Sequence, residues 1–169
     1  PTLIMTVAGF EEGLANILCQ LYRVTKDEAL LKNALEIDQN AADDFSKVNA
    51  PNRAAECYWR IAMNKKCVGD HDKASDAFMS AFREYEIAAK LMPDFSGFYM
   101  DYAAYMKAWS EIEKATLAHE REQYSDAEEH FQKVSFILEH STLWSYFAPN
   151  FEAWSILEQG EDLSRNEKT

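Results

Sequence analysis

Apolar residues recur every three or four positions along most of the chain, the period of an α-helix with one packed face. Phe10, Leu14, Ile17, Leu18 and Leu21 share such a face and predict a first helix over about 10–23. Thr25 and Glu28 stand where that pattern changes. They fit a capping box, in which the hydroxyl accepts an orphan amide and the carboxylate reaches back. Ser110/Glu113, Ser155/Glu158 and Ser164/Glu167 match the same formula, the first two in what reads as helix interior. From Lys26 onward Leu31, Ala34, Leu35, Ala41, Ala42, Phe45 and Val48 keep helical spacing with no Gly or Pro, which predicts one helix over about 26–48. "VNAPN" at 48–52 stops it. Pro51 cannot donate its amide but suits the first turn of the next helix, with Asn49 as its cap.

The third helix, about 52–68, carries a narrow polar strip of Arg53, Glu56, Arg60 and Asn64. Ala54, Ala55, Tyr58, Trp59, Ile61, Ala62 and Met63 cover roughly 200° of the rest, twice the stripe of an ordinary surface helix, so it is flanked on two sides. Gly69-Asp70 forms an elbow with Gly as C-cap and Asp as the next N-cap. Helix four, about 71–92, shows a seam of Ala74, Ala77, Phe78, Ala81, Phe82, Tyr85, Ala88 and Ala89 and ends at Pro93-Asp94. Helix five, about 95–121, carries Tyr99, Tyr102, Met106, Trp109 and Ile112 and spans about 40 Å. Ser125 and Glu128 cap a sixth helix over about 126–140, with Phe131, Val134 and Leu138. After the aromatic link "STLWSYFAP", Pro149 opens a seventh over about 149–166. The expected architecture is all-α: about seven helices in antiparallel αα-hairpins within one domain over 1–169.

A skeleton repeats across the elbows. Ala62-Ala74-Phe78-Ala81 returns 53 residues later as Ala115-Ala127-Phe131-Val134. Its Ala-Ala-Phe part should arise by chance about 0.2 times in a chain of this composition. A third match, Ala29-Ala41-Phe45-Val48, lies inside the unbroken helix 26–48 and reads as coincidence, unless Glu36–Asp38 hides an elbow. The remaining way to keep Ala29 in register is for Thr25 to play the elbow role of Asp70. In the two real copies the paired alanines let the hairpin helices approach near the short end of the usual 8–10 Å range, and the Phe fills the gap toward the next hairpin.

These residues resemble the tetratricopeptide repeat family. Its pattern sets a small residue on helix A, Gly or a polar residue at the elbow, then Ala, an aromatic and Ala on helix B. Ala62, Gly69, Ala74, Phe78 and Ala81 stand in those places; Ala115, Glu122, Ala127, Phe131 and Val134 repeat them. "EQGEDLSRNE" at 158–167 resembles the end of a further helix A, with Gly160 at the small position and Glu167 at the elbow. The match is to the divergent long-helix members of archaea, over 52–167 well and 10–48 loosely. Glu111 and Lys114 depart from it, on places usually apolar. The resemblance implies hairpins over about 10–48, 52–92 and 95–140, and an unpaired last helix at 149–167, stacked as a right-handed superhelix. It also implies a non-enzymatic protein–protein interaction scaffold. A protein or peptide segment would lie in a concave groove lined by Trp59, Met63, Lys66, Trp109, Ile112, Thr116 and His119. The alternative for each of these is a place in the core between repeats, with Lys66 the most exposed, because an unpaired buried ammonium is costly.

Composition narrows the chemistry. Five Gly and four Pro favour long helices, and 10 Phe, 8 Tyr and 4 Trp need several packed layers to hide in. A net charge of −12 repels polyanions, which argues against nucleic acid and allows a basic partner. No stretch reads as the roughly 20 apolar residues of a membrane span, and "PTLIMTVAGF" lacks the basic start of a secretory signal, so a cytoplasmic location is expected. Cys19, Cys57 and Cys67 show no CxxC spacing, which points to free thiols rather than zinc. His119-Glu120 begins like a zincin, but Gln123 stands where its second His belongs. Around "HEREQYSDAEEH", His119, Glu122 and His130 form the only metal set worth naming, and a solvated charged turn is the simpler account. No cofactor, metal or catalytic residue is assigned. Two rivals to the scaffold remain. One is a self-assembling module joined through the last helix, where Trp154, Ile156 and Leu157 lack a cover; the other is a helical enzyme or small-ligand receptor using the aromatic interior.

Overall fold

The computed structural model describes residues 2–167. Seven helices follow one another: α1 (Thr2–Thr25), α2 (Glu28–Lys47), α3 (Pro51–Cys67), α4 (His71–Leu91), α5 (Ser96–Glu120), α6 (Tyr124–Glu139) and α7 (Ala148–Asn166). Short 3-10 turns at Pro93–Phe95 and Ser145–Phe147 precede α5 and α7, and no strand occurs among the described residues. Each helix packs chiefly against its neighbours in sequence. With short elbows between them, α1/α2, α3/α4 and α5/α6 are antiparallel hairpins and α7 is a single helix. The first member of each pair, with α7, is called an A helix below; the second is a B helix.

The three hairpin elbows share one device. A residue in the left-handed region is followed at once by the next N-cap: Lys26 (φ 59°) and Asp27, Gly69 (φ 76°) and Asp70, Glu122 (φ 57°) and Gln123. The Asp70 amide donates to the Lys65 carbonyl at 3.0 Å and the Gln123 amide to Ala118 at 2.8 Å, which closes the last turn as a Schellman loop. A side chain in that region costs about 1–2 kcal/mol that glycine avoids. At Glu122 the cost is offset by Arg165, whose guanidinium lies 2.9 Å from both its carbonyl and its carboxylate.

Caps differ from the sequence expectation. Asp27 caps α2 by accepting the Ala29 amide at 2.9 Å, while the Thr25 hydroxyl turns back to Leu21 O inside α1. Asn49 is itself left-handed (φ 58°), so Ala50 precedes α3, with Pro51 in its first turn as expected. Gln123, not Ser125, stands before α6, without a side-chain cap. α2 is unbroken from Glu28 to Lys47, so 36–38 hides no elbow. Counted from the left-handed residue, Cys19, Ala62 and Ala115 lie seven before it, and Leu31, Ala74 and Ala127 lie five after. All six are buried. Leu31, not Ala29, is therefore the first hairpin's member of the set, and Asp27 rather than Thr25 matches Asp70.

Burial explains the rest. Phe45 and Phe78 are fully enclosed, each contributing about 1.5–3 kcal/mol through the apolar surface it hides. On α1 the expectation is reversed. Its packed side is Ala8, Ala15 and Cys19, whereas Phe10, Leu14, Ile17 and Leu21 point away from the protein. The helix also begins at Thr2 and is, by length and composition, apolar enough to cross a membrane, unlike any stretch foreseen from the sequence. At its middle, Glu12 pairs with Arg53 and with Arg60. The strip of Arg53, Arg60 and Asn64 on α3 consequently faces α1 rather than solvent. Asn64 Nδ2 donates to Cys19 Sγ at 2.9 Å, and the Arg60 guanidinium clasps the enclosed Asp38 of α2, with three contacts of 2.6–3.0 Å.

Candidate functional site

Side chains reach from each A helix to the next: Glu12 to Arg53, Lys66 to Glu113 and His119 to Glu158. On the face between α3 and α5, half-buried rings run in a chain. Trp59 lies 6.1 Å from Tyr105 and 6.2 Å from Tyr102, both edge-on; Tyr105 meets Trp109 at 6.1 Å; and Trp109 stacks on the enclosed Phe78 at 5.8 Å. Met63 packs against the same cluster. Trp144, from the link before α7, stacks on Tyr105 at 4.4 Å. That link is held by Asp101 on α5, which accepts the Ser141 hydroxyl at 2.6 Å and the Thr142 amide at 2.7 Å. The indole N–H of Trp144 is buried without a hydrogen-bond acceptor. Beside the row lies a cavity of about 80 Å³ lined by Tyr105, Ala108, Trp109, Ile112, Leu138, Phe147 and Phe151.

Lys66 is less free than the sequence suggested. Its ammonium sits 3.8 Å from the centre of the Trp109 ring and 3.1 Å from Glu113 Oε1, with about a third of the side chain exposed. The ring face and the carboxylate together replace part of the hydration that the ammonium gives up. Thr116 spends its hydroxyl on the Ile112 carbonyl at 2.9 Å, and Ile112 packs into the cluster of Ala108, Val134 and Leu138. His119, half exposed, lies 3.0 Å from Glu158 and edge-on to Tyr124 at 5.7 Å. The seven candidates thus fall into two groups: Trp59, Met63, Lys66 and Trp109 along one row, and Ile112, Thr116 and His119 farther along α5.

His119, Glu122 and His130 do not converge. His119 turns to Glu158, Glu122 to Arg165, and His130 to Glu111 at 2.7 Å. No group of three or more His, Cys, Asp or Glu suited to an ion occurs among the described residues. The Glu111 and Lys114 departures have a local reason, since Lys114 donates to Glu111 at 2.7 Å and His130 closes on its other oxygen. Although burial works the other way, the bonds from Lys114 and His130 hold the Glu111 carboxyl below its ordinary value of 4.5. Burial pushes the Cys57 thiol up to about 12, so it is no nucleophile near neutral pH.

One repeated contact escaped the sequence reading. A basic residue on one A helix pairs with a nearly enclosed carboxylate on the next: Lys66 with Glu113 at 3.1 Å, and His119 with Glu158 at 3.0 Å. Both acids stand nine residues before the positions 122 and 167. Both bases stand three before 69 and 122. The signal was present in the text of the chain as "AWSEIE" at 108–113 and "AWSILE" at 153–158. Their Ser-x-x-Glu halves had matched the capping formula, yet Ser110 and Ser155 lie buried inside α5 and α7. His71 adds a further contact to Glu113, Nδ1 to Oε2 at 2.7 Å. Glu167, by contrast, has φ −76° and shows no elbow geometry. No protein-family model, no curated protein and no solved structure matches this chain.

Proposed function

We propose that the protein is a non-enzymatic interaction scaffold of tetratricopeptide-like hairpins, wound as a right-handed superhelix, whose A-helix row seats a segment of another protein. The observation that carries this is the ring chain Trp59–Tyr105–Trp109 with Lys66 laid on it, half open to solvent across two hairpins. Aromatic and cationic anchors of this kind dominate protein–protein binding energy. The adjoining cavity of about 80 Å³ suits one aliphatic side chain and is well below the roughly 300–1,000 Å³ of small-molecule sites. Capture from a native lysate, followed by Trp59→Ala, Lys66→Ala and Trp109→Ala in separate variants of unchanged helicity, tests the idea. A partner lost in at least two of them supports it; retention in all three removes it.

A second reading is favoured by α7, whose Trp154, Ile156 and Leu157 are 51–61% exposed. Joined there, copies would form a self-assembling module. Light scattering on Ile156→Glu separates the two, because only self-assembly through α7 loses mass.

A further inference from the structure

The outer side of α1 is a long apolar surface that no other part of the described structure covers. Leu3, Val7, Phe10, Leu14, Ile17, Leu21 and Val24 follow one another at alternating steps of four and three residues, and each is 42–84% exposed. That is the seam of a heptad repeat sustained along the whole helix, the spacing that lets a second helix lie along it with knobs in holes. The body of the protein uses the opposite side, through Ala8, Ala15 and Cys19. Large side chains therefore face out and small ones face in, the inverse of a helix whose only role is to cover its own core.

Charge and area decide what covers the seam. The chain carries −12, yet none of that charge lies on the stripe. Glu12 turns to Arg53 and Arg60. Glu11 lies in the field of Asp44 and Lys47 on α2. Positions flanking the stripe are Ile4, Thr6, Gly13, Leu18 and Gln20 besides Glu11, so no row of charges selects a basic or acidic mate. This is where two strongly acidic copies can meet without opposing carboxylates. The seven side chains present on the order of 800 Å² of surface, the share one partner contributes to a standard specific interface.

We infer that α1 pairs with α1 of a second copy, so that the protein is a two-fold dimer held by this seam. The claim is independent of the A-helix groove and of α7. Sedimentation equilibrium on the full chain tests it, together with Leu14→Glu, Ile17→Glu and, as a control at the other end, Ile156→Glu. Because residues 14 and 17 touch no core, circular dichroism should report the same helicity in all four proteins. The expected result is twice the 19.4 kDa chain mass for the wild type and the α7 control. In the two α1 variants dimer dissociation should rise by more than about 30-fold, the loss of one central anchor. A wild type that stays monomeric at every attainable concentration overturns the inference. So does a dimer that survives both α1 changes, one broken only by Ile156→Glu, or a monomer that instead binds vesicles of neutral phospholipid through the seam.

Discussion

Asp38 has no exposed surface, and it occupies the place filled by Ala81 and Val134 in the other two hairpins. A carboxylate there is tolerated because Arg60 reaches both of its oxygens. Burial pushes the Asp38 carboxyl above its ordinary 3.8 and Arg60 draws it part of the way back. Burial also works against the Arg60 charge, but its bonds to Asp38 more than offset this and hold the group above its usual value. Removing one partner strands the other, so Asp38→Ala should lose about 3–5 kcal/mol in urea denaturation, whereas Asp38→Leu with Arg60→Met should recover most of it. A double variant as unstable as the single would show that shape, not stranded charge, is what matters. Glu111 gives the pH dependence. Its folded-state value is depressed, so its stabilisation is complete above 4.5 and is lost as pH falls through the lower folded-state value. Glu111→Gln should therefore flatten the acid limb of the stability curve and leave less to lose below pH 4.5; an unchanged limb would mean that His130 and Lys114 do not favour the charged form. Neither Asp38–Arg60 nor Glu111–His130 was legible in the chain, because their members lie 22 and 19 residues apart and spacing along a helix reports only neighbours three or four away.

At the scale of elements, periodicity placed all seven helices and the Gly69 elbow, for a physical reason: glycine and proline mark chain reversals by their own backbone limits. Lys26 and Glu122 adopt the same left-handed turn without glycine, which no residue-type rule foretells. Periodicity also shows that a face is apolar and not which side is packed. The α1 stripe, which the spacing alone assigns to a packed face, is the side left open, and the α3 polar strip is clasped by α1 and α2. The repeated alanines are firmer. Ala62 and Ala74, like Ala115 and Ala127, are fully enclosed and lie seven before and five after the left-handed residue of their elbows, on helices that pack against each other. Ala74→Leu or Ala127→Leu should overpack that crossing by about 1–3 kcal/mol, read as a lower melting midpoint. A midpoint within error of wild type for both would deny the close approach.

For the whole molecule, an ion pair links each A helix to the next: Glu12 with Arg53, Lys66 with Glu113, and His119 with Glu158, and the proposed binding surface lies along these contacts. Of the rings in that row, the sequence reading named Trp59 on α3 and Trp109 on α5, at positions that the tetratricopeptide resemblance implies. It missed Tyr105 and Trp144, which enter only through the way α5 and the link after α6 are folded against each other. The central claim is that this row, and not the B-helix side, holds another polypeptide. Photo-cross-linking measures it most directly, with p-benzoylphenylalanine placed at position 59 in the row or at exposed position 83 on α4, each irradiated in a native lysate. The account predicts a discrete adduct with a foreign protein from position 59 and none from 83. Adducts from 83 with none from 59 would contradict it.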